Sequence, residues 1–165
     1  MRGLSIISSS IATLIMAVGP AQAAEDEMIA AVEAGYSVLD TDSFEHGAGG
    51  GISAWIGTSS PFWLAGAAAV HGRASADRDP VNFELLGGLV YALDVFTAVP
   101  FLEAQGGFIT GTGGLQPTVR LGIGLDYLVT RTVSVGLVAR YRPIAEPLGN
   151  ALITAHLRLA VRLEY

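Results

Sequence analysis

The last segment of the chain alternates between apolar and polar residues with a period of two. One parity holds Ile153, Ala155, Leu157, Leu159, Val161, Leu163 and Tyr165, and the other holds Thr154, His156, Arg158, Ala160, Arg162 and Glu164. Successive side chains of a β-strand point to opposite sides, so this period predicts a strand with one apolar and one polar face. The same alternation occurs at 119–127 and 133–141, and in weaker form at 32–38 and 83–93.

Turn-forming residues divide the chain into eight such segments. Clusters rich in Gly, Pro, Asp, Asn, Ser and Thr recur about every 17 residues, as turns between strands of similar length should. They lie at Asp40–His46, Thr58–Pro61, Ala74–Pro80, Asp94–Thr97, Thr110–Gln116, Leu128–Thr130 and Pro143–Asn150. Long and short clusters alternate, which predicts long loops at one end and short turns at the other, as in outer-membrane barrels.

Composition decides which face of the strands is outside. Apolar residues make up 51% of the chain and charged residues 15%, with a mean hydropathy of +0.50; a soluble domain carries about 25% charged residues. The one long apolar segment, Leu4–Val18, is shorter than the roughly 20 residues of a membrane-spanning helix. A closed barrel satisfies its backbone hydrogen bonds without such a run. We therefore predict an all-β fold, an eight-stranded antiparallel up-and-down transmembrane β-barrel with its apolar parity facing lipid.

The N-terminus has the organisation of a secretory signal peptide. A positive start at Met1-Arg2 precedes the apolar stretch Leu4–Val18, and Gly19-Pro20 then breaks it. Ala21-Gln22-Ala23 supplies the small residues that a signal peptidase reads. We predict a cleavable signal peptide at 1–23 and an outer-membrane barrel domain at 24–165.

Charges of both signs fall on the polar parity, inside the predicted barrel. An eight-stranded interior is only wide enough to be filled by side chains, and buried ions must be paired. We therefore predict a salt-bridged plug rather than an open pore. Its candidate residues are Glu33, Glu84, Glu103, Arg120, Asp126, Arg140, Arg158 and Arg162. Because the last strand must pair with the first, Glu33 should meet Arg158 or Arg162. The phase of 49–57 and 62–73, meaning which parity of each segment faces the lumen, rests on Ser53 and Arg73 and stays open.

Aromatic residues concentrate near the segment ends, which predicts belts at the two membrane interfaces. Those near the short turns are Phe62, Trp63, Tyr91, Phe96, Phe101, Tyr127 and Tyr165, and those near the long loops are Phe44, Phe83, Phe108 and Tyr141.

With these features the chain resembles the small eight-stranded outer-membrane proteins of Gram-negative bacteria, the family of the OmpA transmembrane domain and OmpX. The stretch Leu125–Gly136 is similar to a periplasmic hairpin of that family. The most specific element of the resemblance is the C-terminus, where Leu157, Leu159, Val161 and Leu163 precede a final Tyr165. Many members of the family end in Phe. The resemblance implies that these residues are an assembly signal.

The same resemblance implies the location, the partners and the role. The location is the cell outer membrane. The partners are the outer-membrane assembly machinery, periplasmic chaperones, outer-membrane lipid and lipopolysaccharide. The expected protein is a monomer with a structural or surface-interaction role and without catalysis. Two alternatives remain, a barrel enzyme acting on outer-membrane lipid and a secreted soluble β-barrel binding an apolar ligand.

Candidate chemistry is sparse. The lipid A deacylase among small barrels carries a Ser two residues after its catalytic His. Here the residues two after the three histidines His46, His71 and His156 are Ala48, Arg73 and Arg158. No catalytic, cofactor-binding or metal-binding residues are therefore predicted.

The remaining partner classes are judged from charge and cysteine content. A net charge of −6 without a basic run disfavours nucleic acid. The absence of cysteine excludes thiolate chemistry and a lipoprotein anchor. Whether the acidic residues Asp40, Asp42, Glu45, Asp77 and Asp79 bind a divalent cation stays open.

Overall fold

The computed structural model describes residues 27–40, 45–58, 61–73, 81–94, 97–111, 114–143 and 151–164. The predicted signal peptide at 1–23 lies outside them, as does Tyr165. The strands are β1 (Glu27–Asp40), β2 (Glu45–Gly57), β3 (Phe62–Arg73), β4 (Val81–Ala92), β5 (Ala98–Gly111), β6 (Gly114–Leu128), β7 (Val133–Pro143) and β8 (Ala151–Glu164). Within the described ranges, no helix is long and apolar enough to cross a membrane.

The eight strands form one closed antiparallel barrel, as predicted. Each strand pairs with the next along the chain, and β1 pairs with β8 from Glu27↔Glu164 to Asp40↔Ala151. Closure leaves no free sheet edge along β1 and β8, which is the condition for strands to cross a lipid core. We call the end that holds Glu27 and Glu164 the terminus end, and the opposite end the loop end.

Two of the predicted long loops at the loop end are shorter than expected. The prediction placed a loop at Thr110–Gln116, but β5 and β6 stay paired up to Gly111↔Gly114. Gly114 has φ 89°, in the left-handed region that glycine adopts without strain. Only residues 41–44 separate β1 from β2. The predicted long connections between strands are therefore found at 74–80 and 144–150. The prediction is wrong for the β1–β2 and β5–β6 connections, where residues expected to form turns belong to the strands.

Side chains alternate between an apolar outside and the lumen. Large apolar side chains point outward on every strand, and Leu137 and Leu157 are 61% and 64% exposed. The burial pattern of β7 alternates along nearly its whole length. The open phases of β2 and β3 are now assigned, because Ser53 and His71 are buried and face inward. An outside of this kind is solvated by lipid rather than by water.

Three aromatic residues form an apolar floor in the terminus half of the lumen. The ring of Trp55 lies 4.9 Å from that of Phe101 and 6.5 Å from that of Trp63. Val90 and Val138 pack in the same cluster. The expectation that Trp63 and Phe101 belong to an interfacial belt is therefore wrong. Both lie on the inward parity of their strands, which their position near a strand end does not reveal.

Other aromatic residues do lie outside, near the two ends. Phe62 packs on Tyr91 at the terminus end, with ring centroids 5.4 Å apart. Phe83, Phe108 and Tyr141 are exposed toward the loop end. Phe44 and Phe96 lie outside the described residues.

Gly87 and Gly88 are neighbours on β4, but only Gly87 has room for a Cβ atom. A Cβ at Gly88 would meet the backbone of β5, lying 2.7 Å from the Cα of Gln105, whereas one at Gly87 would meet only the Ala65 oxygen at 3.7 Å. We expect Gly88→Ala to lower the free energy of unfolding by about 1–3 kcal/mol. The matched Gly87→Ala should leave it unchanged or raise it by up to about 1 kcal/mol. Urea unfolding in lipid vesicles measures both, and equal effects would contradict the assigned phase.

The charged lumen as candidate functional site

Arg140 is the centre of an ion network that fills the middle of the lumen. Its guanidinium forms ion pairs with Glu33 and Glu103. Its Nη2 donates to Oε1 of Glu33 at 2.9 Å and to Oε2 of Glu103 at 3.4 Å. These residues come from β7, β1 and β5, which do not neighbour one another in the sheet. The side chain of Arg140 therefore ties opposite walls of the barrel together.

Donor groups from two further strands, β2 and β8, also approach Glu33. Oε1 of Glu33 lies 3.4 Å from Nε of Arg158 and accepts from the Ser53 hydroxyl at 3.3 Å, while Nδ1 of His156 lies 3.7 Å from Oε2. Arg158 is also the residue of β8 that pairs with Glu33 in the sheet register. Of the two arginines expected to meet Glu33, the structure brings Arg158 to it. Arg162 lies at the terminus end instead, where it pairs with Asp94 and approaches Glu27 at 3.7 Å.

A second carboxylate organises the loop half of the lumen. Glu84 forms an ion pair with Arg142 and lies 3.5 Å from both Nη1 of Arg120 and Nε2 of His71. Arg120 also donates to Gln105 and approaches Glu103 at 3.6 Å, which joins this cluster to the central one. The eight candidates from the sequence do not include Arg142, although it has the parity of Arg140 and faces the same lumen.

Arg158 joins the ion network to the aromatic floor. It forms an ion pair with Asp126, and its guanidinium carbon lies 4.0 Å above the ring centre of Trp55. Phe101 is the next ring, at 5.5 Å. A cation over an aromatic face keeps part of its electrostatic stabilisation after it leaves water. This contact explains how a side chain that is only 1% exposed lies on an apolar cluster.

The charges of the network balance. Its carboxylates are Glu33, Glu84, Glu103 and Asp126, and its guanidinium groups are Arg120, Arg140, Arg142 and Arg158. Seven of these eight residues are buried, and the side chain of the eighth, Glu33, is only 5% exposed. The rings of His71 and His156 stack between them, 5.9 Å apart. Removing two opposite charges from water is tolerated only when they pair, and here they form one connected set.

The other predicted sites are placed as follows. Leu157, Leu159, Val161 and Leu163 of the predicted assembly signal are exposed on the outer face of β8. The loop acids Asp42, Asp77 and Asp79 lie outside the described residues, as does the side chain of Asp40. Among the residues that the structure does describe, no group of three or more His, Asp or Glu side chains is placed to hold a metal ion.

Comparisons with known proteins bear on the fold. No protein-family model matches the chain, and no curated protein does. Among solved structures, Neisserial surface protein A is similar with a TM-score of 0.65 and 19% identity, over 84% of this chain and 97% of that one. Ail, the attachment invasion locus protein of Yersinia pestis, has a TM-score of 0.55 and 14% identity, over 85% of this chain and 100% of its own.

A de novo designed transmembrane β-barrel is also similar, with a TM-score of 0.51 and 18% identity, over 86% of this chain and 99% of that one. The chain therefore has the fold of the small eight-stranded outer-membrane β-barrels. This fold carries several functions, so the role must be argued from the lumen and the surface.

Proposed function

We propose that the protein is an integral outer-membrane barrel with a closed lumen, a structural or surface-interaction role and no catalytic activity. The observation that carries this proposal is the connected ion network around Arg140, which occupies the middle of the lumen. A water-filled pore would expose such charges to solvent, whereas Glu103, Arg140 and Arg158 are almost completely buried.

The cavity at the centre of the charged residues is too small for an ion path. Beside His71, Glu84 and Arg142 there is a cavity of about 10 Å³, which is room for about one water molecule. Below it, Trp55, Trp63 and Phe101 close the terminus half with apolar rings. A soluble barrel with an apolar ligand in its lumen does not fit this interior, and its outside would be polar rather than apolar.

The outer face supports the proposed partners. Leu85, Leu121, Ile123 and Leu137 are all at least half exposed, and lipid is the solvent that such a surface favours. Outer-membrane lipid and lipopolysaccharide are therefore the proposed surroundings of a monomeric barrel. The alternating apolar residues at the end of β8 support recognition by the assembly machinery after delivery by periplasmic chaperones.

Planar-bilayer recording of the purified protein tests the closed lumen. We expect no steady conductance from the unmodified barrel, because paired side chains occupy its cross-section. The double variant Glu33→Ala/Arg140→Ala removes one acid and one base, so it keeps the charge balance while emptying the middle of the lumen. It should leak ions, whereas Arg131→Ala in an exposed turn should not. A large steady conductance of the unmodified protein would refute the proposal.

A further inference from the structure

The outer face of β1–β5 carries a diagonal groove. Its floor is a row of small outward residues that pair with one another across these strands, namely Ala30, Ala54, Gly66, Gly87 and Gly106. Apolar side chains that are 45% to 67% exposed stand on both sides, namely Val32, Ile52 and Leu85 toward the loop end and Ile56, Leu64 and Leu89 toward the terminus end. A cavity of about 730 Å³ lies over the part of the floor on β1–β3. We call this feature the outer groove.

Three glycines of the floor are not explained by the packing of the barrel. A Cβ at Gly66, Gly87 or Gly106 would meet no atom of a neighbouring strand closer than 3.7 Å, unlike one at the lumen residue Gly88. Glycine weakens a strand, and a strand glycine often marks a place where a ligand or another backbone approaches closely. Because no other strand approaches these three glycines on the outside, the floor is a surface that a ligand can approach.

The pairing register determines the slope of the outer groove. A row of paired residues that leaves β1 at Met28 returns to β1 at Val38, ten residues nearer the loop end. A displacement of about 33 Å along the strands over eight spacings of about 4.8 Å tilts the strands by about 40°. The outer groove therefore climbs from Ala30, near the terminus end, to Gly106, about 12 Å farther along the membrane normal.

This slope distinguishes between two kinds of occupant. On two upright barrels that face each other, such rows slope in opposite senses and cross at about 80°. A row of bulky side chains such as Leu125, Leu137 and Leu157 would therefore cross the outer groove of a neighbouring barrel rather than lie in it. A flexible hydrocarbon chain follows the slope. The groove is also continuous with the lipid-facing surface, where hydrocarbon chains are the solvent.

The floor has the length of one acyl chain. From Ala30 to Gly106 it crosses four strand spacings, about 19 Å. An extended carbon chain advances about 3.5 Å for every three bonds, so about 16 carbons fill this length. The next residues of the row are Val161 on β8 and Val119 on β6, which are bulky and bound the floor at its two ends.

Charges at the terminus end indicate which head group accompanies this chain. Among the described residues of this rim, Glu27, Asp94 and Glu164 lie with Arg162, which pairs with Asp94 and lies 3.7 Å from Glu27. The other described charge at this end, Arg131, lies in the β6–β7 turn, beyond β8. A rim with an excess of carboxylates attracts an ammonium group and repels an anionic head group.

We propose that the outer groove binds one acyl chain of a phospholipid with an ammonium head group, the class of the phosphatidylethanolamines. The head group lies at the carboxylate-rich rim of the terminus end, and the chain follows the floor from Ala30 to Gly106. This site rests on the proposed lipid surroundings of the barrel and adds one selective position to them. It needs no movement of the strands.

Native mass spectrometry of the detergent-folded barrel measures the binding. Titration with palmitoyl-oleoyl phosphatidylethanolamine should give one saturable lipid per barrel, and phosphatidylglycerol with the same chains should bind about tenfold more weakly. Gly66→Leu fills the floor and should weaken binding about tenfold, because the displaced chain loses the contacts of several methylene groups. The matched Ala139→Leu adds the same side chain to the outer face of β7, outside the groove, and should change nothing.

The rim and the direction of the chain are tested separately. Glu27→Gln/Glu164→Gln removes two carboxylates and leaves the groove intact, so it should abolish the preference for phosphatidylethanolamine, whereas Glu45→Gln at the loop end should keep it. One equivalent of spin-labelled phosphatidylethanolamine in detergent micelles reports the direction by NMR. A nitroxide near the carbonyl end of the chain should broaden the amide resonance of Ala30, and one near the methyl end that of Gly106.

Three results would overturn the proposal. They are equal binding of the two lipids, equal effects of Gly66→Leu and Ala139→Leu, and a lipid-free dimer that Gly66→Leu disrupts, which would make a second barrel the occupant. If Gly66→Leu does not fold, Gly106→Leu tests the other end of the floor. Insertion of the unmodified protein into lipid vesicles is measured in parallel, because its failure would contradict the proposed membrane role rather than the groove.

Discussion

Replacing Arg140 with methionine is expected to lower the free energy of unfolding by about 3–5 kcal/mol, because it leaves two buried carboxylates without their common partner. Glu33 keeps Arg158 at 3.4 Å, and Glu103 keeps Arg120 at 3.6 Å, but neither contact replaces the hydrogen bonds of Arg140. The loss comes from the abandoned charges rather than from the pair itself. Urea unfolding of the barrel in lipid vesicles, followed by the heat-dependent shift of the folded form on gels, measures it.

Two controls separate this effect from a general loss of charge. Arg131→Met removes an arginine from an exposed turn and should change the free energy of unfolding by less than about 0.5 kcal/mol. Adding Glu33→Gln to Arg140→Met removes one abandoned charge, so the double variant should be more stable than Arg140→Met alone. A double variant whose loss is the sum of the two single losses would argue against coupling between these residues.

Trp55→Ala is expected to have an effect of similar size, about 3–5 kcal/mol, because it opens a large cavity in a close-packed interior. Trp55 is 1% exposed and packs edge-on against both Trp63 and Phe101. Its removal also takes away the ring beneath Arg158, which lies at 4.0 Å. The same vesicle unfolding assay applies, with Trp63 fluorescence as the second probe.

The conservative Trp55→Phe is the matched control. It keeps an aromatic face under Arg158 and part of the contact with Phe101, so it should lose less than half as much free energy as Trp55→Ala. Equal losses from the two variants would mean that the bulk of the indole alone matters and that the cation–aromatic contact adds nothing.

The strands that were easiest to predict are those in which charged and apolar residues alternate. On β8, Arg158 and Arg162 mark one face and Leu157 and Leu159 the other, so the direction of every side chain follows from the sequence. Closure of the barrel also follows, because eight antiparallel strands with one apolar face satisfy a bilayer only as a closed sheet. From these two facts the lumen placement of Glu33 and Arg158 could be derived.

The direction of side chains on β2 and β3 could not be derived with the same certainty. Both strands have small or apolar residues on both faces, and the period of two is invisible when Gly50 and Ala54 alternate with Gly51 and Ser53. The sequence therefore does not identify Trp55 and Trp63 as lumen residues. An aromatic ring fits either a membrane interface or an apolar interior, and only the register of neighbouring strands distinguishes the two.

The specific partners within the lumen were also beyond the sequence. Parity places Arg140, Glu103 and Glu33 inside, but their contact spans strands that are not neighbours. It depends on the tilt and register of all eight strands together.

The balanced charges of the lumen have an electrical consequence. A membrane potential acts on each elementary charge with about 2.3 kcal/mol per 100 mV across the full field. In the network, the four guanidinium groups of Arg120, Arg140, Arg142 and Arg158 offset the four carboxylates of Glu33, Glu84, Glu103 and Asp126. The described network therefore contributes no net charge on which a potential across the membrane could act.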